Sequence, residues 1–391
     1  MKIFIHKREN NRSDNTIICS CNMLAGKFLL SVCRIWHNKT ISVNLLRFFT
    51  MKGKITIYLL LVSAFLLLFF VMYRSFFGLN VRPGKEPSVI YIPEGSDYSG
   101  AMDSVVANLD VKNEKILRFI AEKKKYPSLI KSGRYLVEKE ISYNELINLL
   151  RSGRQMPVNI TFNNIRTLND LAGKIGGRIE ADSTEIIDFL NNEENYVDDG
   201  FSIETIISVF IPDTYELYWN TSATGLYNRM LREYRNFWNE KRLKLAEDEN
   251  LDPLEVSVLA SIVEEEATKA DEKPRIAGVY INRLKRGIPL QADPTIKFAV
   301  NDFTLSRVLS KHLLVESPYN TYKYKGLPPG PINCPSIESI EAVLNAEKHD
   351  YLFFVAKSDF SGYHYFSKTL SEHNRYAAEY RRELNRRRIY R

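Results

Sequence analysis

Cysteine is scarce: the 391 residues hold four, at positions 19, 21, 33 and 334. Only Cys334 lies beyond the long apolar run near the N-terminus. The bulk of the chain therefore has no thiol pair for an internal disulfide and must be held together by its core. Cys19-x-Cys21 lacks the spacing and the second pair of a zinc site. There is no His-Glu-x-x-His, no phosphate-binding Gly-rich loop ending in Lys and no Gly-x-Ser-x-Gly elbow. Metal, nucleotide and serine-nucleophile chemistry are thus without a signature, and neither metal nor cofactor is expected. Positive charge is also missing where a nucleic-acid binder needs it. Residues 1–54 carry ten Lys/Arg against Glu9 and Asp14, a net +8, while the whole chain carries +7, so the remainder sits at −1. A domain that grips nucleic acid carries its own basic face, and no nucleic-acid partner is expected.

What is present begins with one uncharged apolar stretch, Ile55–Tyr73, just long enough to cross a hydrocarbon core as a helix. Lys52 and Lys54 stand before it and Arg74 after. The basic excess upstream predicts a single-pass anchor with its N-terminus in the cytoplasm and the rest outside. No small-residue cleavage site follows, so the anchor is expected to be retained. Residues 1–50 show no clear periodicity, and Met51-Lys-Gly-Lys directly before the anchor reads as a natural start. A peptide from residues 10–45 in the native protein would contradict that start.

The expected fold is α+β. A cytoplasmic segment (1–54), the transmembrane helix (55–73) and a linker with Pro and Gly (74–87) precede a region of small units (88–165). The first unit reads as strand Ser88–Ile92, turn Pro93-Glu94-Gly95, helices over 98–109 and 113–124, strand Gly133–Val137 and a helix over 143–150. A second begins with a strand over 158–162 and a helix over 167–175. It leads into a helical connecting region (166–250), interrupted at Phe210–Tyr215, in which 227–245 reads as one charged helix. Units of this size and order resemble LysM-type modules. The aromatic strand Gly133–Val137 suits stacking on sugars, and it suits a core equally well. The last region, 251–391, reads as a compact mixed domain with helices on a short antiparallel sheet.

In that region one carboxylate is out of place. Asp252-Pro253 with Glu255 reads as a helix cap, a Pro in the first turn and an acidic start. Along the helix that follows, Leu259, Ile262, Val263 and Glu266 recur at i, i+3, i+4 and i+7, on one face. An apolar stripe bound for the core thus ends in Glu266, while Glu264 and Glu265 point elsewhere. A carboxyl against an apolar wall has its charged form disfavoured, which is what a general acid near neutral pH requires. The plainer alternative is a frayed helix end or an ion pair with Lys269. A second helix, about 274–286 and stopped by Gly287, offers Ile276, Tyr280 and Leu284 for packing against the first. Then come Leu290-Gln291-Ala292-Asp293-Pro294-Thr295, Ser317–Tyr322 and the Pro/Gly run Gly326–Ile332. That run can be neither helix nor inner strand and suits a groove wall. Asp293-Pro294 reads as another cap.

Taken in order, Ala260-Ser-Ile-Val-Glu264-x-Glu266, Val279-Tyr-Ile-Asn-Arg283-Leu, Leu290-Gln-x-Asp-Pro-Thr295, Tyr319-Asn-Thr-Tyr322, Gly326-Leu-Pro-Pro-Gly330 and His364-x-Phe366 resemble the endolytic murein transglycosylase (YceG-like) family. The resemblance covers nearly everything from Met51 onward. It implies a lyase that cuts the β-1,4 bond between N-acetylmuramic acid and N-acetylglucosamine in nascent peptidoglycan, leaving 1,6-anhydro ends. It maps the catalytic glutamate onto Glu266. Gln291, Tyr319 and Asn320 become candidates to hydrogen-bond the sugar, Tyr322, Pro328 and Pro329 candidate groove walls, and His364 a candidate for the cleft. Asp293 is the other carboxylate to consider near the reaction, although a cap is its better reading. Glu264 is expected to be structural, held by Arg283 or Arg275. The implied partners are glycan strands, the bilayer and peptidoglycan synthases. Two departures stand out: Glu265 makes a triple-acid run, and Ser336 replaces a Gly that would take positive φ freely. Two rivals stay open. One is a muramidase that hydrolyses the same bond with Asp293 or Glu264 activating water. The other is a non-catalytic peptidoglycan-binding scaffold.

Overall fold

A computed structural model describes residues 53–85, 87–305 and 307–387. The expectations for residues 1–52, including the start at Met51 and the cytoplasmic cysteines, lie outside the described residues. The chain divides into two compact units, one ending at Gly78 and one running from Leu79. In the first, α1 (Gly53–Phe77) is a 25-residue, strongly apolar helix with nothing buried. Its length and composition allow it to cross a membrane.

The second unit opens with β1 (Val81–Pro83), β2 (Ser88–Ile92), α2 (Tyr98–Asn108), β3 (Leu109–Val111), α3 (Glu114–Lys123), β4 (Gly133–Val137) and α4 (Tyr143–Ser152). β1 pairs with β3, and β2 pairs antiparallel with β4, Ile90 facing Tyr135. Ile90, Ile92 and Tyr135 are fully buried, as are Met102, Leu117 and Ile120 of the helices. Alternation along the strands and a single apolar stripe on each helix make a small two-layer core. The expected helix starts hold: Asn113 accepts from the Ile116 amide, and Ser142 forms a reciprocal capping box with Glu145.

β5 (Val158–Thr161), α5 (Leu168–Ile175) and α6 (Ser183–Asn191) come next, then short 3₁₀ turns and β6 (Thr214–Leu217), which pairs antiparallel with β5. The break read at Phe210–Tyr215 is therefore the entry to a closing strand. Tyr215 stacks on Phe162 at 5.4 Å and donates its hydroxyl to the Ile211 carbonyl at 2.6 Å. The expected helix over 227–245 is two, α7 (Ala223–Phe237) and α8 (Glu240–Asp248). Asn239 turns extended between them and caps the second through the Arg242 amide. The charged pattern runs across that junction, which hides the cap.

The last region contains α9 (Pro253–Glu266), α10 (Lys273–Lys285), α11 (Asp293–Ala299), α12 (Ile337–Leu344), β7 (Phe353–Ala356), β8 (His364–Ser367) and α13 (Leu370–Arg386); β7 and β8 form an antiparallel pair. One apolar cluster runs from Ile160 to Ala346, so β5–α8 and the last region share a core. The Pro/Gly loop is tied into that seam. The Cys334 amide donates to the Ile165 carbonyl at 2.8 Å, and Gly330 lies so close to the Glu204 carbonyl that a Cβ would meet it at 2.1 Å. Residues 256–263 of α9 are all buried, because α9 is wrapped on every side, with α8, α10, α11 and α12 in contact with it.

Candidate active site

The C-terminal turn of α9 carries Glu264, Glu265 and Glu266, and the fold gives each a different environment. α9 starts where expected: Asp252 accepts from the Glu255 amide at 2.8 Å, Glu255 accepts from the Asp252 amide at 2.9 Å, and Pro253 occupies the first turn. It ends because Ala267 is extended.

Glu264 faces the start of α12. Ser336 Oγ donates to it at 2.5 Å, Ser339 Oγ also donates, and Lys273 Nζ lies 3.5 Å away. Burial works against its charged form, but these hydroxyls and the ammonium outweigh it, and its pKa falls below the usual carboxylate value. Its expected arginine partners are a correction: Arg275 pairs with Glu347 at 2.8 Å, and Arg283 donates to Gln291. Ser336 needs no positive φ. It sits at φ −62°, ψ 154° as the cap of α12. Glu265 turns outward and is shared by Arg166 at 3.3 Å and Asn333 at 3.1 Å.

Glu266 has neither a hydroxyl cluster nor a close cation. Its hydrogen-bond partner among the described residues is the hydroxyl of Tyr280, which donates to Oε1 at 3.2 Å. It keeps partial solvent access, as a group at the base of a cleft does. Surrounding protein nevertheless desolvates the carboxyl, and the charge of Asp293 repels its ionised form. Together these outweigh the Tyr280 hydrogen bond and Lys297, and the pKa is pushed up to about 7.

α10 and α11 supply the opposite wall. Tyr280 is buried on the face of α10 that meets α9, and its own ionisation is pushed well above the usual tyrosine value by burial and by Glu266. Arg283 follows it by three residues, on the same side of the helix. It is 7% exposed, lies over the Phe353 ring at 5.5 Å and donates to Gln291 Oε1 at 2.5 Å. Asp293 is not a cap: α11 is preceded by Ala292 with no side-chain cap, and Asp293 is its first residue. Its Oδ1 instead accepts from the Tyr322 hydroxyl at 2.6 Å. The loop bearing Gln291 is pinned beneath by Thr321, whose Oγ1 accepts from the Ala292 amide at 3.0 Å and meets Thr295 Oγ1 at 2.8 Å.

The fold therefore brings together Glu266, Gln291, Asp293 and Tyr322, with Arg283 beneath them. Asn320 is a correction. It is fully buried, its amide donates to the carbonyls of Leu313 and Val315, and its Oδ1 accepts from the Tyr322 amide. It shapes the loop and has nothing left for a sugar. Tyr319 packs on Phe298 at 4.6 Å, and burial pushes its hydroxyl pKa up to about 12. Pro328 is buried, whereas Pro329 is exposed and lines an open depression of about 570 Å³ with Ser317, Tyr324 and Leu327. His364 is engaged by the buried Glu272, which contacts its Nδ1 at 2.8 Å and accepts its amide at 3.0 Å. Two members were not read as part of the site from the sequence: Tyr280, named there only for packing against α9, and Lys297. The signal for Tyr280 was present: a hydroxyl on an apolar helix face needs a buried partner. Among the described residues no cluster of His, Cys, Asp or Glu could hold a metal ion.

The model of the YceG-like family matches residues 90–379. The chain is 31% identical over 315 residues to the endolytic murein transglycosylase of Bacillus subtilis (strain 168), covering 76% of this chain and 86% of that one. It is 29% identical over 331 residues to the protein of the same name from Streptococcus pneumoniae (strain R6), covering 76% of this chain and 59% of that longer one. The crystal structure of a yceG-like protein from Listeria monocytogenes matches with a TM-score of 0.50 and 27% identity, covering 75% of this chain and 99% of that one.

Proposed function

The chain belongs to the YceG-like family, and on that premise we propose that it is a membrane-anchored lytic transglycosylase, a carbon–oxygen lyase acting on peptidoglycan. Its substrate is the β-1,4 bond between N-acetylmuramic acid and N-acetylglucosamine within nascent glycan strands. The observation that carries the reading is the setting of Glu266, a desolvated carboxyl whose pKa of about 7 keeps about half of it protonated at neutral pH. Glu266 donates its proton to the glycosidic oxygen as the bond to C1 breaks. The same carboxylate then takes the proton of the muramic acid C6 hydroxyl as that oxygen bonds to C1. The carboxyl ends as it began, no water is consumed, and the product is a 1,6-anhydro end. One acid/base suffices because the nucleophile is part of the substrate, whereas hydrolases of this type generally use two carboxyls.

α1 anchors the enzyme in the cytoplasmic membrane, with the N-terminus in the cytoplasm and the remainder outside. Cutting close to new strands would set where their elongation ends, beside the synthases that make them. The small strand–helix–helix–strand units, read as LysM-like, would hold glycan near the cleft.

One observation favours a second reading. Asp293 lies near enough to Glu266 to raise its pKa, and a second carboxylate is what a hydrolytic muramidase needs to activate water. Product ends separate the readings. Full-length protein in detergent is incubated with uncrosslinked glycan strands beside Glu266→Gln, and the fragments are analysed by mass spectrometry. Anhydro ends from the wild type and none from the variant are expected. Reducing ends would establish the hydrolase, and binding without any cleavage would favour the scaffold.

A further inference from the structure

Arg283 is a buried cation without a carboxylate. It is 7% exposed and forms no ion pair among the described residues; its Nε has no hydrogen-bond partner, and its one side-chain hydrogen bond runs to Gln291 Oε1 at 2.5 Å. Burial drives its pKa down, so this arrangement costs stability and calls for an explanation. Gln291 is strained as well. Its backbone is left-handed at φ 53°, and its side chain stays exposed although its amide is bound to the Thr321 carbonyl at 3.0 Å. Loop 290–293 is therefore held in an unfavourable conformation with Gln291 at its tip, two residues from Asp293.

The chemistry of the contact fixes the amide. A guanidinium has five donors and no acceptor, so the atom of Gln291 that faces Arg283 is its oxygen. The NH₂ group is then directed away from Arg283, and its two N–H groups have no partner among the described residues. A free glutamine amide can turn either end outward; this one is held with its NH₂ group outward. Arg283 lies one turn beyond Tyr280, whose hydroxyl reaches Glu266, so the oriented donor belongs to the same cleft as the acid.

We infer that Arg283 is a positioning residue that holds the Gln291 amide with its NH₂ group outward as a hydrogen-bond donor, and that this donor selects glycan by the carbonyl oxygen of an N-acetyl group. This rests on the glycan reading above, and it adds the specificity: acetylated chains are preferred over de-N-acetylated ones. An amine left by de-N-acetylation is itself a donor, and facing the Gln291 NH₂ group it would leave both unpaired.

The test is made on binding, in the Glu266→Gln background of the full-length protein, so that it does not depend on cleavage. Dissociation constants are measured calorimetrically for one uncrosslinked oligosaccharide in its acetylated and de-N-acetylated forms. Preference for the acetylated form is expected on the order of 10- to 100-fold. Gln291→Leu should abolish most of it by weakening the acetylated form alone. Gln291→Glu should do the same or worse, because a carboxylate pairs with Arg283 and carries no N–H. Arg283→Met should lose the preference by freeing the amide to turn, and Arg283→Lys should restore part of it. Equal affinities in the parent, or a Gln291→Glu variant that keeps the preference, would overturn the proposal. If the wild type makes no anhydro ends while the Gln291-dependent preference persists, the transglycosylase reading fails and this one stands.

Discussion

Two carboxylates at the end of one helix, Glu264 and Glu266, are two residues apart and have opposite chemistry. The side of α9 that meets α12 is polar: two serine hydroxyls and Lys273 hold Glu264 ionised. The side that meets α10 and α11 is apolar and already carries a negative charge, and there Glu266 keeps its proton up to about pH 7. A helix step of 100° per residue separates the two environments. What tells an acid catalyst from a structural anion is thus the neighbouring element and not the local sequence, which reads Glu-Glu-Glu.

The sharpest way to break this comparison is to remove each carboxylate in turn. Glu266→Gln should lower cleavage on the order of 10²- to 10⁴-fold while leaving binding of glycan largely intact. Glu264→Ala should act on stability instead, because it removes the acceptor of the Ser336 and Ser339 hydroxyls and leaves the buried Lys273 to Glu338 alone, 2.6 Å away. Chemical denaturation should show a loss of about 1–3 kcal/mol. If Glu264→Ala folded normally and was as inactive as Glu266→Gln, the assignment of roles would be reversed.

The stabilities should also part company with pH. The folded pKa of Glu266 lies above that of an unfolded glutamate, so ionisation favours the unfolded chain. The native state loses stability as pH rises from about 4.5 to about 7 and loses nothing further above that. Glu266→Gln should therefore match the wild type below pH 4.5 and exceed it by about 3 kcal/mol above pH 7. For Glu264 the sign is opposite, since its folded pKa is depressed and its contribution is lost as pH falls. Thermal melts across pH 4–8 would show both trends, and a Glu266→Gln advantage independent of pH would contradict them.

Asp293 sharpens the comparison from the substrate side. Removing its charge in Asp293→Asn should lower the pKa of Glu266, so the alkaline limb of the pH–rate profile should move to lower pH by roughly one unit. A limb that stays in place would mean that desolvation alone sets the acidity. The smallest expected effect is at Ser336. Ser336→Ala loses the cap of α12 and one donor to Glu264, a cost of about 0.5–2 kcal/mol in denaturation, with the limb near pH 7 unmoved.

Much of this was legible in sequence because it is local. The cap at Asp252, the strands Ser88–Ile92 and Gly133–Val137 taken singly, and the helix over 253–266 follow from spacing within about fifteen residues, although α9 is buried all round and not on one stripe. What escaped depends on distant partners. Thr214–Leu217 is a strand because β5, more than fifty residues earlier, pairs with it. Asp293 looked like a cap, since Asp-Pro at a helix start usually is one, but Tyr322 takes its carboxylate. Asn320 looked free to bind sugar, and the carbonyls of Leu313 and Val315 take its amide. Polar side chains can be claimed by any backbone group that folding brings near, and sequence alone does not say which.

The central claim is that Glu266 holds its proton near neutral pH, and it can be observed directly. Infrared difference titration of the carboxyl stretch, wild type minus Glu266→Gln in the full-length protein, isolates that one group. The account predicts a protonated carboxyl that ionises with a midpoint near pH 7. A midpoint near 4.5, the ordinary value for a glutamate, would contradict it.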